Sequence, residues 1–143
     1  MICALVALIV ADPCFDKRPA PVTAPYIIED DGGGQLLSAV DDREVLLAWG
    51  GAVEIRGYCA SACVIFTTLP QACLAPDLRI GFHGSSVNLG PVGNPQIARH
   101  LRGAARARFL EDWQHIQAPD IAWIDVETYR ALDPAVRICD DET

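Results

Sequence analysis

Strand-like apolar runs alternate with helical runs along most of this chain, and a glycine loop, a serine and a histidine each follow a strand-like run. Tyr26-Ile27-Ile28 ends in Glu29-Asp30-Asp31-Gly32-Gly33-Gly34. Leu36, Leu37, Val40, Leu46, Leu47 and Trp49 then recur at roughly helical spacing and stop at Gly50-Gly51, with Asp41-Asp42 a point where this helix is open to division in two. Ala52 to Arg56 alternates as a strand does and leads through Gly57 to Ser61. Ala62 to Leu69 is an apolar helical run stopped by Pro70. Cys73-Leu74-Ala75 and Leu78 to Phe82 are strand-like, and His83 follows the second. Such alternation implies an α/β domain, a mostly parallel sheet joined by right-handed crossovers. Ligands of such sheets gather at the carboxyl ends of the strands, where the glycine loop, Ser61 and His83 all fall.

Beyond His83, Gly84 to Gly93 reads as a loop. Asn94-Pro95 pairs a capping residue with a proline at the first helical position, so one long helix is expected from there towards Ile116. Its arginines, Arg99, Arg102, Arg106 and Arg108, lie off the apolar face and read as a solvated surface. His100 and His115 on the same helix read as surface or packing residues, and Trp49, Trp113 and Trp123 as packing. Ala118-Pro119-Asp120 breaks the helix, and Val126 to Leu132 forms a short last one.

With 143 residues, 51% of them apolar, the chain is sized for one folded domain, here assigned to residues 26–143. Nineteen acidic against 11 basic residues leave a net charge of −8. That excess opposes a nucleic-acid surface, which must neutralise phosphates, and an anionic membrane surface for the same reason. Six cysteines stand at positions 3, 14, 59, 63, 73 and 139 without the spacing of a zinc site, and Cys59 and Cys63 are not a redox Cys-x-x-Cys. A disulfide-forming, exported environment is the simpler account. Four cysteines in the domain allow three connectivities; Cys63 with Cys73 is one reading, with Cys59 or Cys139 as other partners. Residues 1–25 are read as a possible leader and linker: Met1 to Ala11 is too short to span a bilayer and suits a signal-peptide core or a buried first strand, and three prolines fall between Phe15 and Pro25.

Ser61 stands where a strand turns sharply into a helix, which exposes its hydroxyl beside the N–H groups of the new helix. The plain alternatives are a small residue packed at a tight turn and, for His83, a ring satisfied by backbone at a strand end. Three segments bear on that choice: Ile28-Glu29-Asp30-Asp31-Gly32-Gly33, Gly57-Tyr58-Cys59-Ala60-Ser61-Ala62 and Pro76-Asp77-Leu78-Arg79-Ile80-Gly81-Phe82-His83. In order and spacing they resemble the Clp protease proteolytic subunit and its wider Clp/crotonase superfamily. The likeness is greatest to its uncharacterised periplasmic branch, where Cys-x-Ser-Ala-Cys precedes Gly-x-His, and it covers roughly residues 26 to 132.

This resemblance implies a fold of repeated β-β-α units and a bacterial periplasmic or secreted location. It implies Ser61 as nucleophile, His83 as general base, and the N–H groups of Ala62 and of Gly32 or Gly33 as the oxyanion hole. It further implies peptide or small acyl substrates, no metal or other cofactor, and assembly into homo-oligomers. Three departures stand out. Asp30-Asp31 replaces the family's Ser-Pro, the serine-to-histidine interval is shorter, and the orienting aspartate has no clear match, with Asp120 nearest by order and Asp125 behind it. The expectation is an exported serine hydrolase of peptidase type; the alternative is a non-catalytic binding or assembly module on the same fold.

Overall fold

The computed structural model describes residues 20–86 and 89–140, so the leader run and the first part of the linker lie outside the described residues. Tyr26–Asp31 (β1), Val53–Ala60 (β2), Ala72–Leu74 (β3), Arg79–Phe82 (β4) and Ala122–Asp125 (β5) build one open sheet, ordered β1-β2-β4-β5 with β3 also on β2. β1 runs parallel to β2. The other edge of β2 is shared: Val53 to Ile55 pair in parallel with β3, and Tyr58 to Ala60 pair in parallel with β4. β5 adds the antiparallel edge, with Arg79 opposite Asp125. The domain is therefore mixed α/β with a mostly parallel sheet. Register sets up the site: Asp31 stands opposite Cys59, and Ala60 opposite Gly81. The carboxyl ends of β1, β2 and β4 are thus level, and the segments that follow them leave the sheet together.

Leu36–Trp49 (α1) is a single helix, undivided at Asp41-Asp42, and ends where the Gly50 amide (φ 75°) donates to the Leu46 carbonyl. Asp41 is exposed and Asp42 half-buried, so neither is forced into the core that holds Ala39 and Leu46. The run after Ser61 is a 3-10 helix, Ser61–Thr68, eight residues long, which is long for its kind. Its residues Ala62 to Thr68 are all buried, which explains why it is apolar on every side.

The expected long helix is two helices. Gly90–Arg99 (α2) and Gly103–Glu111 (α3) are followed by a short 3-10 turn at Trp113–His115. Arg102 is extended and Gly103 takes φ 54°, and this pair makes the break. α2 also begins before Asn94, so Pro95 lies inside it and Asn94 does not cap it. Val126–Leu132 (α4) forms where expected, with Asp125 Oδ1 accepting the Thr128 amide at 2.7 Å.

The core gathers Leu46, Ile55, Ile65, Leu74, Ile80 and Phe109, with Phe82 stacked on Trp113 at a centroid distance of 4.1 Å. On a solvent-facing part of the sheet, Tyr58 meets Trp123 edge-on and the Arg79 guanidinium lies over the Trp123 ring. Disulfides join Cys59 to Cys63 and Cys73 to Cys139, which corrects the Cys63–Cys73 reading. Cys73 faces the C-terminal segment because Leu74 bridges Ile138 and its amide takes the Arg137 carbonyl. That bond spans 66 residues and removes unfolded-chain entropy worth about 4 kcal/mol, against about 2 kcal/mol for the bond that spans 4. Two disulfides suit an oxidising environment.

Candidate active site

Ser61 has φ +60°, one of three non-glycine residues with positive φ among the described residues. This conformation is unfavourable for a residue with a Cβ and persists only where its surroundings impose it. Ala60 before it is still extended and paired with Gly81, while Ala62 after it already lies in the 3-10 helix. The whole change of direction therefore falls on Ser61.

The glycine loop closes on this turn. A Cβ built on Gly33 (φ 99°) would lie 2.7 Å from Ser61 Cβ, 2.8 Å from the Ala62 nitrogen and 2.9 Å from the Ala60 oxygen. Only a glycine fits there. Around Gly32, by contrast, nothing lies within 4 Å of such a Cβ. The Gly33 amide donates to Asp31 Oδ1 at 2.8 Å, so the carboxylate holds a donor that an oxyanion would need. Asp30, at φ 51°, turns its carboxyl back onto Gly57 in β2.

His83 leaves β4 at the same edge. Its Nδ1 lies 2.7 Å from the Gly84 carbonyl oxygen. A carbonyl only accepts, so Nδ1 is the donor in this contact, and in the neutral ring that tautomer leaves the lone pair on Nε2. The loop beyond is pinned: the Gly84 amide donates to the Ile116 carbonyl at 2.8 Å, and the Ser85 amide to Asn94 Oδ1 at 2.7 Å.

Ser61, Ala62 and His83 line one cavity of about 490 Å³ with Leu36, Leu89 and Ile97. Apart from His83, neither an acidic nor a basic side chain lines it among the described residues. No hydrogen bond joins Ser61 Oγ to His83 among the described residues; catalytic contacts of this kind often tighten only around substrate.

No hydrogen bond joins Asp120 to His83 among the described residues. Asp120 is exposed in the turn after Pro119, its amide bonded to the Gln117 carbonyl, while Asp125 caps α4. The position an orienting acid would fill is taken by the Gly84 carbonyl, which fixes the tautomer but carries no charge to stabilise an imidazolium. The structure thus brings Ser61, Ala62 and His83 to one cavity and Gly33 against the Ser61 turn, and Asp120 is not among the residues that line that cavity.

His100 lies elsewhere, near Arg43. Burial, then the charges of Arg43 and Arg99, lower its pKa from 6.5, against a smaller opposing effect of Glu44. Its ring Nε2 is buried without a hydrogen-bond partner among the described residues.

Three contributors escaped sequence reasoning. Asp31 two residues before Gly33 is an Asx-turn spacing and was legible in principle. The roles of the Gly84 carbonyl and Asn94 depend on tertiary position and leave no sequence signal. No family model matches the chain, and no curated protein matches it.

Proposed function

We propose that the protein is an exported serine hydrolase of peptidase type, acting on a peptide or small acyl substrate, with the Clp/crotonase-like arrangement of β-β-α units. The observation that carries this reading is Ser61 held at φ +60° on the wall of a cavity that His83 also lines. In the proposed reaction Ser61 Oγ attacks the acyl carbon and His83 Nε2 takes its proton. The same nitrogen returns the proton to the leaving group, and water then hydrolyses the acyl-serine. The Ala62 amide is the first oxyanion donor, and Gly33 becomes the second once Asp31 releases it. The family likeness also supports a bacterial periplasmic or secreted location and homo-oligomers.

A fluorophosphonate probe tests the nucleophile. Wild type should label covalently, Ser61→Ala not at all, and His83→Ala about 100-fold more slowly or worse. Equal labelling of wild type and Ser61→Ala would overturn the assignment.

The Gly33–Asp31 bond favours a second reading, a binding or assembly module on the same fold, because it occupies a donor that catalysis needs. Folded wild type that does not label at all supports this second reading.

A further inference from the structure

We infer that the Cys59–Cys63 disulfide is a positioning device: it holds Ser61 in the left-handed conformation that presents its hydroxyl to the cavity. The inference deepens the hydrolase reading and rests on it for the word positioning; the mechanical part stands on the backbone alone.

The bond brackets the serine symmetrically, two residues before and two after, and its Cα atoms are 5.3 Å apart. An extended chain would separate such residues by about 13 Å. β2 cannot supply the reversal, because Cys59 pairs with Ile80 and Ala60 with Gly81, and Ala60 keeps φ −130° and ψ 158°. The 3-10 helix cannot supply it either, because Ala62 and Cys63 are packed in the core. One residue remains between two anchored halves, and the bond ties those halves together across it.

Among the described residues no side-chain hydrogen bond caps the start of this helix. The usual device for fixing a helix entry is therefore missing, and the covalent bond stands in its place. Loop length supports a local role. A bond spanning 4 residues restrains the unfolded chain far less than the one spanning 66, so its main consequence is felt at the turn it encloses. Both cysteines are fully buried, which makes the bond a permanent fixture of the folded protein and not a switch open to reductants.

The test crosses removal of the bond with relief of the backbone constraint. Cys59→Ala/Cys63→Ala is made in wild type and in Ser61→Gly, since glycine takes positive φ without cost. Thermal midpoints are compared, with Cys73→Ala/Cys139→Ala as the control pair. If the bond holds residue 61, its removal lowers the midpoint less in the Ser61→Gly background, whereas removal of the control bond lowers both backgrounds equally. The same loss in both backgrounds overturns the inference. Should Cys59→Ala/Cys63→Ala fail to fold alone, folding of the same pair in Ser61→Gly supports it, and failure in both overturns it. Fluorophosphonate labelling then reads positioning: Cys59→Ala/Cys63→Ala should label at least tenfold more slowly than wild type well below its midpoint, and the control pair at the wild-type rate. If wild type does not label, Ser61 is not a nucleophile, and the midpoints still decide whether the bond holds it.

Discussion

Gly33 packs against Ser61 with no room for a side chain: a Cβ on the glycine would lie 2.7 Å from the Cβ of the serine. The loop after β1 and the turn after β2 therefore form one object, although 28 positions separate the two residues (61 minus 33). Level strand ends deliver the segments to the same edge, and the missing side chain lets them close.

Gly33→Ala should cost at least about 2 kcal/mol, from left-handed strain plus overpacking against the Ala60 and Ala62 backbone. Urea unfolding measures this. Fluorophosphonate labelling should be lost in whatever fraction stays folded, because the collision displaces Ser61 itself. Unchanged stability would mean that the loop does not rest on the turn.

Asp31→Ala frees the Gly33 amide from its carboxylate. If that amide belongs to the oxyanion hole, labelling of Ser61 should rise about tenfold or more. An unchanged rate, with the fold intact by circular dichroism, would remove Gly33 from the hole and leave Ala62 as the donor.

Tyr129 is buried, and its hydroxyl donates to Thr67 Oγ1 at 2.6 Å while that oxygen donates to the Val64 carbonyl. Tyr129→Phe should cost about 1 kcal/mol at neutral pH, since Thr67 keeps its carbonyl partner. Burial pushes the Tyr129 phenol up to about 12 from 10.0. The unfolded chain therefore loses this proton first, and stability falls as pH rises from 10 towards 12. Urea midpoints across that range should fall less steeply in Tyr129→Phe.

His100 works at the acid end. Its folded pKa lies below 6.5, because burial and the neighbouring Arg43 and Arg99 disfavour the imidazolium. The unfolded chain binds a proton at a higher pH than the native one, so stability is lost as pH falls below 6.5. His100→Gln should flatten the unfolding midpoint just below that pH. An identical acid limb would mean that other groups govern it.

Much of the arrangement was legible along the chain. Gly50 stops α1 as expected, α4 runs from Val126 to Leu132, and the segments after β1, β2 and β4 reach one edge. β5 was not anticipated, because four residues between the Pro119 turn and the Asp125 cap are too few to show a period. The split of α2 from α3 turns on Gly103, because one glycine within an otherwise periodic run does not by itself mark a break. Asn94 looked like a cap from its neighbour Pro95, yet its side chain serves the Ser85 amide across the fold.

By itself the sequence determined what depends on near neighbours: the strand-like runs, most of their stops, the sharp turn at Ser61 and the acidic balance that opposes a nucleic-acid surface. Only the tertiary structure decided which cysteines pair, which amide Asp31 occupies, and that the His83 ring meets the Gly84 carbonyl. Periodicity and turn chemistry act over a few residues and are written locally. Hydrogen-bond and sulfur partners are chosen by distance in space, and strand register sets that distance.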